Sequence, residues 1–265
     1  MTNLDEFLAF LDHGKVYDLG VRLETGIPHG PAHSPYLYSL IKKHGQVVYR
    51  DGVSSATDLF SMGTHVGTHI DALGHVSKHG CLHGQIDAES VQSFRGGMSR
   101  CGAHELSPIV GRGVLLDLPR LLGCSIVNAE CTIGPEEMEK ACTQQGVTVR
   151  TGDTVLVRTG WMQHWPDHER FHANVCPGVS LEGAHWLGDR GARCVGSDTY
   201  AFEKVPASGL PVHVAMLVEK GIPIMEVLDL EALAGAGANT FLFIAVPLKI
   251  VGGTGSPIRP IAIVQ

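Results

Sequence analysis

The stretch His65-Val66-Gly67-Thr68-His69-Ile70-Asp71-Ala72-Leu73-Gly74-His75 places three imidazoles and a carboxylate within eleven residues. Neutral imidazole nitrogen and carboxylate oxygen suit Zn²⁺, Mn²⁺ or Fe²⁺ at a site that carries out water chemistry, whereas a structural zinc site normally recruits cysteines. No cysteine lies inside the stretch. The composition of the stretch therefore indicates a hydrolytic metal site.

The spacing within the stretch favours extended backbone over a helix. The stretch has glycines at 63, 67 and 74 and β-branched residues at 64, 66, 68 and 70, and both types disfavour a helix. In an extended chain every odd position points to one side, which would group His65, His69, Asp71 and His75. Six extended residues would span roughly 20 Å, far more than one metal shell, so the segment must bend. We expect a strand that delivers His65, then a loop that bends at Gly67 and Gly74 and brings His69 and Asp71 to the same ion.

A structural role is the alternative for each histidine taken alone. A single histidine in a mixed apolar segment is usually a hydrogen-bonded structural residue. Four convergent groups are different, because burying several imidazoles and a carboxylate without a cation would leave costly polar groups to satisfy. We therefore favour the metal site.

The same residues resemble the HxGTHxDxPxH motif of the cyclase family of metal-dependent hydrolases, which includes bacterial kynurenine formamidases, isatin hydrolase and a trans-dienelactone hydrolase. The motif is matched at His65, Gly67, Thr68, His69, Asp71 and His75, and Leu73 stands in place of its proline. The resemblance implies that His65, His69 and Asp71 bind the metal. It also implies that His75 is the acid/base residue.

A second match lies downstream, in Pro211-Val212-His213 followed by Met216-Leu217, Gly221-Ile222 and Glu226. In family members with two metals, the corresponding His and Glu complete a second site that the motif aspartate, here Asp71, bridges. The spacing from His213 to Glu226 is one residue longer than in the formamidase pattern, so one ion or two ions both stay open. A softer match, Val195-Gly196-Ser197-Asp198-Thr199, resembles the GxDT strand end that the family often has near its site.

The resemblance extends from about Tyr17 to Pro247 and implies a swivelling β/β/α fold. It also implies hydrolysis of a small carbonyl substrate. The first candidates are aryl formamides of the N-formylkynurenine type, as in tryptophan catabolism, and the alternative candidates are isatin-like rings.

Composition agrees with a globular enzyme. The 265 residues are 44% hydrophobic, enough for a large core, and we expect a single domain over residues 1–265. A net charge of −7 without a basic stripe argues against nucleic acid. The N-terminus has acids where a secretory signal needs basic residues, and no apolar run approaches a membrane span. Seven scattered cysteines without a CxxC pair fit reduced thiols, so we expect a cytoplasmic protein.

Periodicity predicts an α/β fold with a mixed, strand-rich core. The expected helices cover residues 4–11, 135–145 with Gly146 as the stop, 181–190 with Ser180 as the cap, and about 210–221 with His213 in the first turns. The expected strands cover residues 16–23, 58–65, 113–118, 154–159, 192–198, 222–227 and 240–248.

Three further features could have a functional role. For each of them we favour the simpler, structural interpretation. The loop Gly26–Pro35 carries His29 and His33, which could line a pocket, but a plain surface loop is the simpler interpretation. The cluster Trp161–His168 has a histidine pair at four-residue spacing, but Pro166 interrupts the helix that a metal-binding pair needs. Arg158 and Lys204 could anchor a substrate carboxylate, and surface charge is the simpler interpretation.

The function we predict is hydrolysis of an acyl C–N or C–O bond in a small amide, cyclic imide or lactone by water that a divalent metal, Zn or Mn, activates. His75 would move the proton. A metal-dependent lyase or cyclase reaction and a non-catalytic metal-binding protein are the alternatives. The expected partners are a small-molecule substrate and further copies of the chain in a homodimer or homotetramer, with neither nucleic acid nor membrane.

Overall fold

The centre of the fold is one nine-stranded mixed sheet, seen in a computed structural model that describes residues 3–265. The strands, numbered in chain order, are β1 Lys15–Asp18, β2 Leu37–Lys42, β3 Thr57–Ser61, β4 His69–Asp71, β5 Cys81–Leu82, β6 Ile86–Asp87, β7 Gln92–Ser93, β8 Gly97–Met98, β9 Ile109–Asp117, β10 Thr132–Ile133, β11 Thr154–Arg158, β12 Gly178–Val179, β13 Cys194–Ser197, β14 Ile224–Glu226, β15 Thr240–Ala245, β16 Gly255–Pro257 and β17 Ile261–Val264. The helices are α1 Asn3–His13, α2 Leu118–Leu122, α3 Pro135–Gln145, α4 His168–Phe171, α5 Leu181–Asp189, α6 Pro211–His213 and α7 Glu231–Gly235, with a π-helix after α6 over Val214–Lys220.

The sheet combines a parallel centre with antiparallel flanks. Its strand order is β1-β17-β15-β9-β11-β13-β14-β4-β16. The strands β9, β11, β13 and β14 run parallel, and the remaining pairs are antiparallel. This arrangement confirms the predicted α/β class with a mixed, strand-rich core.

Both faces of the central strands are covered, which explains the unbroken apolar runs Val114–Leu116 of β9 and Val155–Val157 of β11. In β11, Val155 and Val157 pack into one core, with residues of α3 and α5. Leu156 between them packs into the other, with Phe243 of β15. A strand buried on both sides has no polar face to alternate with, as is usual for parallel strands.

The local signals for helices are confirmed. The left-handed Gly146 ends α3 after Pro135 begins it, and the Ser180 hydroxyl accepts a hydrogen bond from the Gly183 amide at the start of α5. The expected helix around His213 also exists and ends at left-handed Gly221, but most of it is π-helical.

Three expected strands end at least three residues before the predicted position, among them the strand expected over 240–248, which ends at Ala245. The first of them in chain order ends at Asp18, whose carboxylate accepts a hydrogen bond from the Gly20 amide and so turns the chain. The second, expected to reach His65, ends at Ser61. His65 therefore lies on a turn, which changes how the motif forms the site.

The proposed surface role of Arg158 is wrong. Its guanidinium is largely buried, with Nη1 2.7 Å from Asp117 Oδ1 and Nε 2.9 Å from Glu231 Oε1. Both carboxylates hold it at the end of β11, so it is not available as a substrate anchor. Lys204 is also mostly covered and pairs with Glu130 at 3.3 Å.

The cysteines are not paired with one another in the structure. All seven cysteines are free. No helix formed by residues 3–265 is long and apolar enough to cross a membrane.

Candidate metal centre

The short strand β4 delivers two of the motif side chains. It lies between β14 and β16, antiparallel to both. Residues two apart on a strand share a face, so His69 and Asp71 point the same way. The register pairs His69 with Glu226 of β14, and His69 Nε2 lies 3.5 Å from Glu226 Oε2 and 3.6 Å from Asp71 Oδ1.

His65 reaches the same point from a turn, which corrects the expected order of strand and loop. Gly67, with φ of 64°, reverses the chain between the two histidines, as predicted. His65 Nδ1 then lies 2.6 Å from Asp71 Oδ1. Gly255 leaves room for the ring, because a Cβ there would lie 2.6 Å from His65 Cε1. Gly74, the other expected bend, has no left-handed backbone.

The distant pair His213 and Glu226, which the family resemblance implies, lies beside this group. His213 Nε2 lies 3.6 Å from Asp71 Oδ2 and 3.2 Å from Glu226 Oε1. The π-helix that follows His213 accounts for the longer spacing, since a π turn holds more residues than an α turn. The additional residue is taken up there, and His213 and Glu226 still meet.

The buried carboxylates of this group are held in their charged form. Burial alone would raise the pKa of Asp71, but the imidazoles of His75, His213 and His65 hold it well below its usual range. Burial likewise opposes ionisation of Glu226, yet the nearby imidazoles of His213 and His69 lower its pKa to about 2. Burial disfavours a charged His213, but contacts with the carboxylates hold its pKa well above the usual value. The cluster therefore attracts positive charge.

A divalent cation fits this donor set. The buried Asp71 Oδ2 accepts no hydrogen bond, although it lies beside His213 Nε2. Within residues 3–265, the ion pairs of Asp71 and Glu226 are with histidines alone and not with Lys or Arg. Ligand atoms of His69, Asp71 and Glu226 lie within 4.8 Å of one another, a separation that one ion can bridge. Cation binding would supply the charge that burial makes necessary.

An outer layer of contacts, which the motifs did not reveal, orients these ligands. Glu203 accepts hydrogen bonds from His213 Nδ1 and from the Val212 amide, both at 2.8 Å. His69 Nδ1 donates to the Gly67 carbonyl at 2.8 Å. In both histidines this leaves Nε2 facing the cluster, which is the usual arrangement around metal-bound imidazole. Glu203 lies in an irregular segment ten residues before His213, and no sequence pattern marks it.

His75 lies beside the cluster with its ring stacked on that of His65 at 4.0 Å. Burial lowers the pKa of His75 to about 4, so the ring is neutral at pH 7. Its ligand atom, with those of His65 and Asp71, forms a second group within 4.8 Å. Distance alone thus allows His75 to be a ligand or an acid/base group.

The cluster forms the floor of a cavity of about 260 Å³. The lining residues are Pro28, His29, Gly30, Pro31, His33, His65, Gly67, His69, His75, His172, Asn174, Tyr200, Val205, Glu226 and Val227. The loop Gly26–Pro35 is therefore a cavity wall, and its interpretation as a plain surface loop is wrong. On another wall, His172 and Tyr200 stack at 4.7 Å.

Two other sequence features serve packing. The Asp198 carboxylate is fully buried and accepts hydrogen bonds from Thr159 and Gly160, so it joins the ends of β13 and β11 and does not line the cavity. His164 is buried edge-on against Trp161, so its ring packs against the indole.

The chain is similar to several characterised proteins. Residues 17–204 match the sequence profile of the family described as "Putative cyclase". The chain is 27% identical over 203 residues to a kynurenine formamidase of Salinibacter ruber, covering 76% of each, and 26% identical over 234 residues to an isatin hydrolase of Roseibium aggregatum, covering 81% of this chain and 77% of that one. The crystal structure of a novel cyclase superposes with a TM-score of 0.88 at 27% identity, over all of this chain and 94% of the other. These similarities confirm the prediction of a hydrolytic enzyme.

Replacing His69 by alanine should remove most of the bound metal, because His69 Nε2 faces both Asp71 and Glu226. After incubation with Zn²⁺ or Mn²⁺ and gel filtration, elemental analysis of the unmodified protein should find about one or two equivalents per chain. The matched control is His164→Ala, another buried histidine, which should keep its metal. Full occupancy in His69→Ala would contradict the assignment.

Glu203→Gln should weaken metal binding by roughly 10-fold to 100-fold, the usual effect of losing a partner of a metal-bound histidine. The amide can keep a hydrogen bond to His213 but removes a negative charge. Titration with a competing chelator measures the affinity, and circular dichroism checks the fold. An unchanged affinity would show that Glu203 does not orient His213.

Proposed function

The chain belongs to the cyclase family, and on that premise we propose that it is a metal-dependent hydrolase of small aromatic amides, opening the acyl C–N bond of an aryl formamide or a cyclic amide. One observation carries the proposal. Five candidate metal ligands form one cluster, and three of them, His65, His69 and Glu226, line a cavity together with a further histidine, His75. A structural metal site has no need of an adjoining cavity, whereas a catalytic one needs room for substrate.

The donor set suggests how a metal would be held. The family motif would assign one cation to His65, His69 and Asp71 and a second to Asp71, His213 and Glu226. The donor atoms that lie within 4.8 Å of one another are those of His69, Asp71 and Glu226 and those of His65, Asp71 and His75. A bound divalent cation supplies Lewis acidity, which activates water and polarises a carbonyl. Zn²⁺ and Mn²⁺ both suit imidazole and carboxylate ligands.

The protein's own contribution to the reaction is proton transfer and positioning. Hydrolysis adds water across the C–N bond: the water oxygen bonds to the carbonyl carbon, the C–N bond breaks, and the nitrogen gains a proton. His75 faces the cavity, and within the described residues neither of its ring nitrogens has a hydrogen-bond partner. It takes the proton from water and returns it to the leaving nitrogen.

The walls of the cavity favour an uncharged substrate with one or two rings. The cavity is at the small end of ligand sites. Its lining contains imidazole, amide and phenol groups but neither Lys nor Arg. Burial lowers the pKa of His172 to about 4, so that ring is also neutral. A substrate carboxylate that lies away from the metal centre would therefore have no cationic partner in the cavity wall, which disfavours an amino-acid group on the substrate.

We expect turnover of neutral amides in a panel of formanilide, isatin, a cyclic imide, an aromatic lactone and N-formylkynurenine. kcat/KM for the best neutral amide should exceed that for N-formylkynurenine by about tenfold or more, since an unpaired buried charge costs at least ~1.4 kcal/mol. Product analysis by mass spectrometry should show addition of one water. Chelation should abolish turnover and metal should restore it. Absence of turnover with every compound would overturn the proposed function, and preference for N-formylkynurenine would overturn the substrate class.

His75→Ala should keep its metal and lose roughly 10²-fold to 10⁴-fold in kcat, the usual contribution of a positioned proton-transfer group. His75→Asn should not restore the rate, because an amide cannot accept and return the proton. Elemental analysis and kinetics on the same samples separate the two roles. Loss of metal together with activity would make His75 a ligand.

A further inference from the structure

His172 lies in the wall of the cavity and is the first residue after the short helix α4. Its backbone amide donates a hydrogen bond to the His168 carbonyl, which ends the helix. The residue is half-buried, and its side chain contributes to the lining of the cavity. It is not one of the candidate metal ligands, so its position in the cavity needs another explanation.

Aromatic contacts hold the His172 ring in a defined orientation. The ring stacks on that of Tyr200 with centroids 4.7 Å apart, and it packs edge-on against the fully buried Phe171 at 5.5 Å. These neighbours are themselves fixed, because the Tyr200 hydroxyl donates to the Ala173 carbonyl and Trp161 Nε1 donates to the Phe171 carbonyl. The ring is therefore oriented before a ligand enters, which lowers the entropic cost of binding.

Neither nitrogen of the His172 ring has a hydrogen-bond partner among residues 3–265. The ring nitrogens of His65 and Nδ1 of His69, by contrast, are hydrogen-bonded to protein groups. Burial lowers the pKa of His172 to about 4, so at pH 7 the neutral ring offers one N–H donor and one acceptor. Because the protein holds neither nitrogen, the ring can adopt the tautomer that a ligand requires.

The small size of the cavity brings a ligand at the metal centre close to His172. A cavity of about 260 Å³ is about 8 Å across if it is roughly spherical, which one aromatic amide fills. A ligand that fills it displaces water from the His172 ring. Loss of that water without a new hydrogen bond raises the free energy of the complex, because a polar nitrogen is then buried without a partner.

A carbonyl oxygen is the ligand group that best satisfies this nitrogen. The adjacent Tyr200 hydroxyl already uses its hydrogen on Ala173, and no Lys or Arg lines the cavity to stabilise a charged acceptor. A binding site with a fixed, unpartnered hydrogen-bonding group discriminates against ligands that lack the complementary group. The wall at His172 therefore favours a neutral acceptor over a plain hydrocarbon edge.

We propose that His172 is a specificity-determining residue that donates a hydrogen bond to a second carbonyl of the substrate, separate from the carbonyl of the amide that is cleaved. This inference rests on the proposed function. It narrows the substrate class from neutral aromatic amides in general to those that carry an additional carbonyl group.

Formanilides that carry either an acetyl or an isopropyl group at the ortho, meta or para position test the inference. The two groups have nearly the same shape, and only acetyl accepts a hydrogen bond. The preference is the ratio of kcat/KM for the acetyl compound to kcat/KM for the isopropyl compound, measured on the metal-loaded protein. Comparing this ratio between protein variants cancels the electronic effect of the acetyl group on the leaving nitrogen.

At the ring position where the unmodified protein most prefers acetyl, His172→Phe should reduce the preference about threefold to tenfold, the usual contribution of one neutral hydrogen bond. Phenylalanine keeps a ring to stack on Tyr200 but has no donor. The matched control is His168→Phe, an exposed residue of α4 outside the cavity lining, which should keep the preference within about twofold. His172→Gln, which retains an N–H donor, should keep part of the preference.

Circular dichroism checks the fold of each variant. Should His172→Phe fail to fold, His172→Leu also lacks a donor and should show the same loss. If the unmodified protein hydrolyses formanilides and the donor-free variant keeps the full preference for acetyl, the role of His172 is overturned while the proposed function stands.

If no formanilide is hydrolysed, the proposed function fails and binding tests the inference separately. Calorimetric titration of the same metal-loaded proteins with the acetyl and isopropyl compounds then gives the preference as a ratio of dissociation constants. A ratio that His172→Phe reduces about threefold or more supports the inference. An unchanged ratio, or no detectable binding of either compound to the unmodified protein, overturns it.

Discussion

The antiparallel pairing of β4 with β14 is the constraint on which the site depends. It sets His69 opposite Glu226 and, through the two-residue period of a strand, places Asp71 on the same face. Two carboxylates are thereby buried with histidines as their only ion-pair partners within residues 3–265. Burying two carboxylates raises the free energy of the folded state unless a positive charge lies beside them. The sheet register therefore produces a site that a cation would stabilise.

The residues around the cluster orient its histidines towards a bound cation. Glu203 and the Gly67 carbonyl each hold the far nitrogen of a histidine, so the near nitrogens of His213 and His69 face inward. Gly255 keeps clear the volume that the His65 ring occupies. The donors are thus oriented by the fold, and less reorganisation is needed when a cation binds.

The cavity wall and the hairpin of β2 and β3 are anchored to the body of the protein at the same place. The loop Gly26–Pro35, which lines the cavity, leads directly into β2. After β3 the chain passes Met62 and reaches His65 three residues later. Tyr36 and Met62 pack with Ile27 and Val66 at this point. A contact that restrains the hairpin of β2 and β3 would also restrain the wall of the cavity, because the two segments have the same anchor.

The sequence by itself determined the class of fold and grouped His65, His69, Asp71 and His75 as candidate site residues, because ligand chemistry and strand periodicity depend on local composition and spacing. It predicted that His65, His69 and Asp71 would meet, whereas the pairing of His213 with Glu226 was implied by the resemblance to the family motif. Only the tertiary structure decided that His65 lies on a turn, that a π-helix absorbs the longer spacing, and that Glu203 supports the cluster. These depend on strand register and on contacts between distant segments, which no local pattern encodes.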